Sequence, residues 1–136
     1  MKTSFFLTTF CLICLSAFIL YGKLAADSDN TSIAISENDD SYQFKASYRS
    51  NDSRRVLEYI NKSMEASDQR TPVDNYFDLN TSRIDISTTL ADKTEFYIKE
   101  SQGRLKIVLD KHKNSYSSYV RIKNMCEGIK NVLAGK

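Results

Sequence analysis

The sequence predicts a small α+β domain, a two-layer sandwich in which a mainly antiparallel sheet of three to five strands carries two helices on one face. An apolar helix is predicted to precede it at the N-terminus. Several segments alternate apolar and polar residues with the period of a half-buried strand. Two others repeat apolar residues at three- and four-residue steps, as a helix with one buried face does. Because each clear strand has one polar face, the sheet is expected to be covered on one side only.

Residues 1–26 predict either a signal peptide or an N-terminal membrane anchor. Residues 5–21 form a run of seventeen without a charge, and Lys2 precedes them. The run is longer than a usual signal-peptide core and slightly shorter than the roughly 20 residues that span a bilayer. If signal peptidase cleaves after Ala26, the rest of the chain is secreted or periplasmic. If the segment is retained, it anchors the chain with the C-terminal domain outside the cytoplasm.

The next segment, residues 27–41, contains five acids and no base, and it is rich in Ser and Asn. Such a composition buries too little apolar surface to offset the entropy of ordering, so it predicts a disordered spacer. The folded domain is then expected over residues 42–136. Its first strand is predicted at residues 42–48, where Tyr42, Phe44, Ala46 and Tyr48 alternate with polar residues.

A helix is predicted from the possible N-caps at residues 50–53 to about residue 66, with Val56, Leu57, Ile60 and Met64 on one face. Residues 67–75 are predicted to form a loop, and residues 76–79 a short strand or a lead-in. Strands are predicted to follow around residues 83–90, 95–99 and 105–110. The final helix, residues 117–133, carries the apolar stripe Tyr119, Ile122, Cys126, Ile129 and Leu133, and Gly135 ends it.

The last two strands are predicted to form a tight hairpin with a two-residue loop at Gln102 and Gly103. That loop sets Ile98 opposite Ile107 and Lys99 opposite Lys106. A loop one residue longer would mix the apolar and polar faces, so the parity of the pattern favours the tight turn.

The chain offers few groups for catalysis, and neither a metal nor a cofactor site is predicted. His112 is the only histidine, and the ammonium groups of Lys111 and Lys113 are expected to disfavour its protonation and to repel a cation. Cys126 is the only thiol after the export segment and lies in an apolar stripe, which predicts a buried, inert side chain. The carboxylates Asp78, Asp85 and Glu95 in strand regions leave open a carboxylate-based hydrolase.

Charge is skewed toward the C-terminus, where residues 104–136 contain eight bases and two acids. A possible anion-binding surface is formed by basic residues of the polar sheet face and the following loop: Lys45, Arg49, Lys99, Lys106, Lys111 and Lys113. Outside the cytoplasm its ligand would be an anionic envelope component or an acidic protein, and no nucleic acid is expected. The acidic spacer is a further candidate, folding back on the basic region.

Three functions remain open from the sequence. The first is a non-enzymatic exported or membrane-anchored module that binds an anionic ligand or acidic partner. The second is a structural or assembly subunit that pairs through a sheet edge. The third is the carboxylate-based hydrolase. The oligomeric state is not predicted.

Overall fold

A computed structural model describes residues 31–65 and 83–136 and shows an α+β fold. Two strands, β1 (Ser32–Glu37) and β2 (Ser41–Ser47), come first. One turn of 3-10 helix (Ser50–Asp52) leads into helix α1 (Ser53–Glu65). Strands β3 (Arg83–Thr89), β4 (Glu95–Ser101) and β5 (Arg104–Asp110) follow, and helix α2 (Tyr116–Leu133) ends the chain.

The five strands form one antiparallel sheet in the order β1-β2-β5-β4-β3. Strand β2 therefore pairs with β5 at the centre, although α1, β3 and β4 lie between them in the chain. Strands β1 and β3 are the two edges. The predicted fold class is confirmed, whereas the predicted N-terminal apolar helix lies outside the described residues.

One face of the sheet packs against both helices and forms the core. Tyr42 and Phe44 of β2, Ile98 of β4 and Ile107 of β5 are buried there. Helix α1 contributes four apolar residues at helical spacing, and α2 contributes Ile122, Met125, Cys126 and Ile129. The predicted faces of both helices are thus the buried ones. The opposite face of the sheet is polar and is called here the open face.

The β4–β5 hairpin has the predicted two-residue loop and register. Ile98 pairs with Ile107 and Lys99 with Lys106. Gln102 and Gly103 have φ of 49° and 80°, the left-handed values that a tight hairpin turn of this kind requires. A Cβ atom on Gly103 would lie 2.2 Å from the backbone oxygen of Tyr48, so this position also needs glycine for space.

The prediction of a disordered spacer over residues 27–41 is wrong where β1 lies. Residues 32–37 pair along their whole length with β2. Ile33 and Ile35 point to the core face and pack against it, half-buried. The extra strand gains backbone hydrogen bonds and covers the outer edge of β2, a long-range contribution that local composition does not reveal. The boundary at residue 26 stays a prediction.

Candidate functional site

Three lysines stand side by side across the middle of the open face. Lys45 of β2 pairs with Lys106 of β5, and Lys106 pairs with Lys99 of β4. Neighbouring strands lie about 4.8 Å apart, so the three side chains start within about 10 Å of one another. The predicted pair Lys99 and Lys106 is therefore extended by a third lysine, from a strand distant in the sequence.

A second row, two residues along the strands, adds two guanidinium groups. Arg104 of β5 is flanked by Ser47 and Ser101, and Ser101 pairs in turn with Arg83 of β3. The two rows line one open cavity of about 570 Å³. The five basic residues of these rows are called here the cationic face: Lys45, Arg83, Lys99, Arg104 and Lys106.

Asp85 of β3 is the one acid within these two rows. Its carboxylate lies 3.2 Å from Lys99 Nζ and 3.5 Å from the Arg83 guanidinium, and it accepts a hydrogen bond of 2.7 Å from the Tyr97 hydroxyl. That hydrogen bond, with those of Lys99 and Arg83, holds the pKa of Asp85 below its usual value. The acid neutralises only the β3 side of the cationic face.

The central cations have no such partner. Within residues 31–65 and 83–136, Lys45, Arg104 and Lys106 form neither an ion pair nor a side-chain hydrogen bond. Like charges directly opposed across an antiparallel pair destabilise it by up to about 1 kcal/mol. Lys45, Arg104 and Lys106 therefore concentrate uncompensated positive charge on the two central strands of the open face.

The cationic face ends abruptly along the strands. The next row on the open face is uncharged at its centre, where Gln43, Val108 and Tyr97 are paired. The row beyond carries the acids Asp110 and Glu95 at the same end of the sheet. Positive charge thus stops at this end of the strands, and the five residues of the cationic face cover roughly 7 Å along them.

Three of the six basic residues predicted from the sequence lie together in this patch, and three lie elsewhere. Arg49 follows β2 and pairs with Asp52 at 3.2 Å. Lys111 pairs with Glu37 at 2.9 Å. Lys113 lines a separate cavity of about 270 Å³ beside the acidic end of β4 and β5.

The acidic segment does fold back on the basic C-terminal region. Glu37 accepts hydrogen bonds from Lys111 Nζ (2.9 Å), from the Tyr119 hydroxyl (2.6 Å) and, more weakly, from Lys123 Nζ (3.4 Å). Partial burial opposes ionisation of Glu37, but these hydrogen bonds outweigh it and lower its pKa. The contact uses the helix side of the sheet and leaves the cationic face unoccupied by residues 32–41.

The expectation that neighbouring lysines disfavour protonation of His112 is wrong. Its Nε2 atom lies 2.7 Å from Asp40 Oδ1, in the β1–β2 turn. This hydrogen bond and the negative charge of Asp40 raise the pKa of His112. Lys111 is itself paired, with Glu37, so its repulsion is compensated. His112 remains an exposed loop residue, as expected.

The described residues offer little for catalysis. Cys126 is fully buried, and burial raises the pKa of its thiol to about 12, as expected for an inert core residue. Asp85 pairs with Lys99, whereas Glu95 pairs with Thr89 four residues further along β3, so the two carboxylates start on the order of 13 Å apart. Acid–base carboxylate pairs in glycosidases lie closer, at about 5–9.5 Å. Asp78 lies outside the described residues, within which no group of three His, Cys, Asp or Glu could hold a metal ion.

Sequence reasoning missed two members of the cationic face and one buried acid. Arg104 follows from the hairpin register, since Lys106 and residue 104 must share a face. Arg83 depends on the register of β3 against β4. The short loop between these strands sets that register, since the Leu90 N–H donates to the Thr94 carbonyl and Lys93 has a left-handed φ of 66°. Glu100 stands at a core position of β4 and is 2% exposed, with its carboxylate 3.3 Å from the Gly103 N–H and 3.4 Å from the Tyr48 hydroxyl. It therefore supports the hairpin turn, and with it the second row of the cationic face.

No protein-family model, curated protein or solved structure matches the chain. Over the residues that the structure describes, neither helix has the length and apolar character needed to cross a membrane.

Proposed function

We propose that this domain is a binding module that holds a compact, multiply charged anion on its cationic face, outside the cytoplasm. The observation that carries the proposal is the row Lys45, Lys106 and Lys99, three adjacent cations on three adjacent strands. Export is the prediction made from residues 1–26. A non-enzymatic role agrees with the inert thiol of Cys126 and the separated carboxylates.

The electrostatics favour an anion over any neutral ligand. Each lysine of the row raises the potential at its neighbours, and Lys106 has a cation on both sides. An anionic group seated between them would interact favourably with all three at once. It would also relieve their mutual repulsion. The same three charges therefore strengthen anion binding and lower the stability of the unliganded fold.

The second row supplies directed hydrogen bonds. Arg104 presents a planar guanidinium, which suits phosphate, sulfate or carboxylate oxygens. The hydroxyl groups of Ser47 and Ser101 flank it on the same face. Together with the lysines they surround the cavity of about 570 Å³, a volume within the usual range for small-molecule sites.

The dimensions of the patch favour clustered charges over a long polymer. A polyanion running along the strands would meet Glu95 and Asp110 in one direction. In the other direction it would reach the β4–β5 turn and Arg49, whose charge Asp52 balances. One running across the strands toward β3 would meet Asp85. Two or three phosphate or sulfate groups within about 10 Å fit instead, as in a phosphorylated headgroup or a small free polyphosphate.

The test is titration calorimetry of the full chain in a mild detergent with inorganic tripolyphosphate at low salt. We expect Lys106→Gln to weaken binding about 3- to 10-fold, the loss of roughly 1 kcal/mol from one partly exposed charge contact. Lys62→Gln removes the same charge from the exposed side of α1 and should leave the affinity unchanged.

A matched arm uses polyglutamate carrying the same total charge, which represents an extended acidic partner. We expect it to bind more weakly than tripolyphosphate because its charges are spread beyond the patch. Tighter binding of polyglutamate would contradict a compact ligand. Tripolyphosphate binding that is absent, or equal in wild type and in a variant with all three lysines of the row changed to Gln, would refute the proposed function.

A further inference from the structure

Strand β1 is an edge of the sheet whose outer side has no strand partner in the described part of the chain. Natural sheets protect such edges with charges, prolines or bulges. Strand β3, the opposite edge, carries Arg83 and Asp85. Residues 32–36 of β1 contain none of these devices and pair with β2 without a bulge. Among the described residues, therefore, nothing blocks the addition of another strand to this edge.

The sequence of this edge is a palindrome. Ser32-Ile33-Ala34-Ile35-Ser36 reads identically in both directions. An antiparallel pair formed by two such strands about a two-fold axis at Ala34 sets each serine opposite a serine and each isoleucine opposite an isoleucine. A shift by one residue would place isoleucine on the polar face, and a shift by two would leave one isoleucine pair instead of two. The palindrome therefore favours the register centred on Ala34.

We propose that β1 pairs with β1 of a second copy of this chain, centred on Ala34, to form a two-fold symmetric dimer with a continuous ten-stranded sheet. This inference is independent of the proposed function. Its partner is identified by complementarity: only a second copy presents the same palindrome, and an isologous interface requires a self-complementary surface.

Side-chain environments on both faces fit this pairing. Ile33 and Ile35 lie on the core side and are only half-buried in one copy. In the dimer, Ile33 of each copy would lie opposite Ile35 of the other, and each would cover the exposed part of its partner. Glu37, the first charge of the strand, lies beyond the five paired residues and is held by its own Lys111. No like charges are opposed within the paired segment.

The dimer would place both cationic faces on one surface. Ala34 pairs with Lys45 in each copy, so the lysine rows of the two copies would lie on one line across the dimer interface. Five residue pairs form a small interface, below the roughly 1,200 Å² of stable complexes, so a reversible, concentration-dependent dimer is expected. Its formation would juxtapose two anion sites, since Ser32 and Ala34 of the paired segment also line the cavity of each.

Disulfide cross-linking tests the register. In the full chain with the cysteines of residues 1–30 changed to alanine, Ala34→Cys should give a covalent dimer on mild oxidation, because paired Cα atoms lie about 4.5–5.5 Å apart. Ser32→Cys and Ser36→Cys should each give no covalent dimer alone, because the register sets residue 32 opposite residue 36, yet they should cross-link when mixed. Buried Cys126 remains in every variant, and Ser87→Cys on β3 reports random collisions.

A charge placed on the axis provides the second measurement. Ala34→Lys opposes two ammonium groups in the dimer and lies opposite Lys45 within each copy. It should abolish the dimer in sedimentation experiments, with circular dichroism showing that the monomer stays folded. Ser87→Lys on β3 should leave the dimer intact. Wild-type association should persist in 1 M salt, unlike anion binding. If Ala34→Cys cross-links no better than Ser87→Cys, or if Ser32→Cys alone cross-links equally well, the proposal is wrong. In that case another peptide or another part of this chain occupies the edge.

Discussion

Replacing Lys106 by glutamine should stabilise the folded protein while weakening its anion binding. Lys106 lies directly between Lys45 and Lys99, and none of the other described residues neutralises it. Two unit charges about 6 Å apart in water repel by roughly 0.7 kcal/mol, and splaying of the long side chains reduces this. Two such neighbours give an expected gain of about 0.5–1 kcal/mol, in line with measured cross-strand pairs.

The assay is thermal unfolding of the full chain at low and high salt, without and with tripolyphosphate. For a domain of this size the expected gain corresponds to a rise in Tm of about 2–6 °C. At 1 M salt the Debye length falls to about 3 Å, so most of the gain should disappear. With saturating tripolyphosphate the wild type should have the higher Tm of the two, because the ligand stabilises the tighter-binding protein more.

Lys62→Gln is the matched control for this experiment, since it changes the net charge equally on an exposed part of α1. Its Tm should be close to that of the wild type, both without and with tripolyphosphate. A gain for Lys106→Gln that is independent of salt would show that strand propensity, and not charge repulsion, is responsible. A loss of stability would refute the electrostatic account of the lysine row.

Three further outcomes are expected. Gly103→Ala should lower the free energy of unfolding, measured in urea, by at least about 2 kcal/mol, because φ is 80° and a Cβ atom would collide with the backbone. Gly135→Ala is the control: φ is 74° but the space around it is open, so the loss should be about 1 kcal/mol or less. Equal losses for the two variants would contradict the role of the collision. The hydrogen bond and charge of Asp40 raise the pKa of His112. The ion pair therefore stabilises the fold fully below the unfolded pKa near 6.5, and this stabilisation is lost as the pH rises through the folded pKa. The Tm difference between wild type and His112→Gln should be larger at pH 5.5 than at pH 8.5, and a constant difference would show that the His112–Asp40 pair is not its source. Cys126 should resist alkylation at pH 8 in the folded chain and react once urea unfolds it, when the cysteines of residues 1–30 are replaced; rapid reaction in the native state would show that the thiol is not buried.

Local patterns alone determined most of the individual elements. Alternation identified β2, β3, β4 and β5, and helical spacing identified α1 and α2, because one-sided burial imposes those periods on the sequence. The pairing of Lys99 with Lys106 was also predictable. A two-residue loop leaves only one register that keeps the apolar residues on one face.

The tertiary structure decided which strands became neighbours. The lysine row exists because β2 pairs with β5, a contact between segments separated by a helix and two strands, so Lys45 could not be placed beside Lys106 from the sequence. Strand β1 was missed for the same reason. Its two isoleucines are too few to indicate a strand in an acidic segment, and its stability comes from pairing with β2 and from the contacts of Glu37 with α2 and Lys111. Local composition specifies faces, but neighbours are chosen by long-range pairing and burial, whose energies no short segment contains.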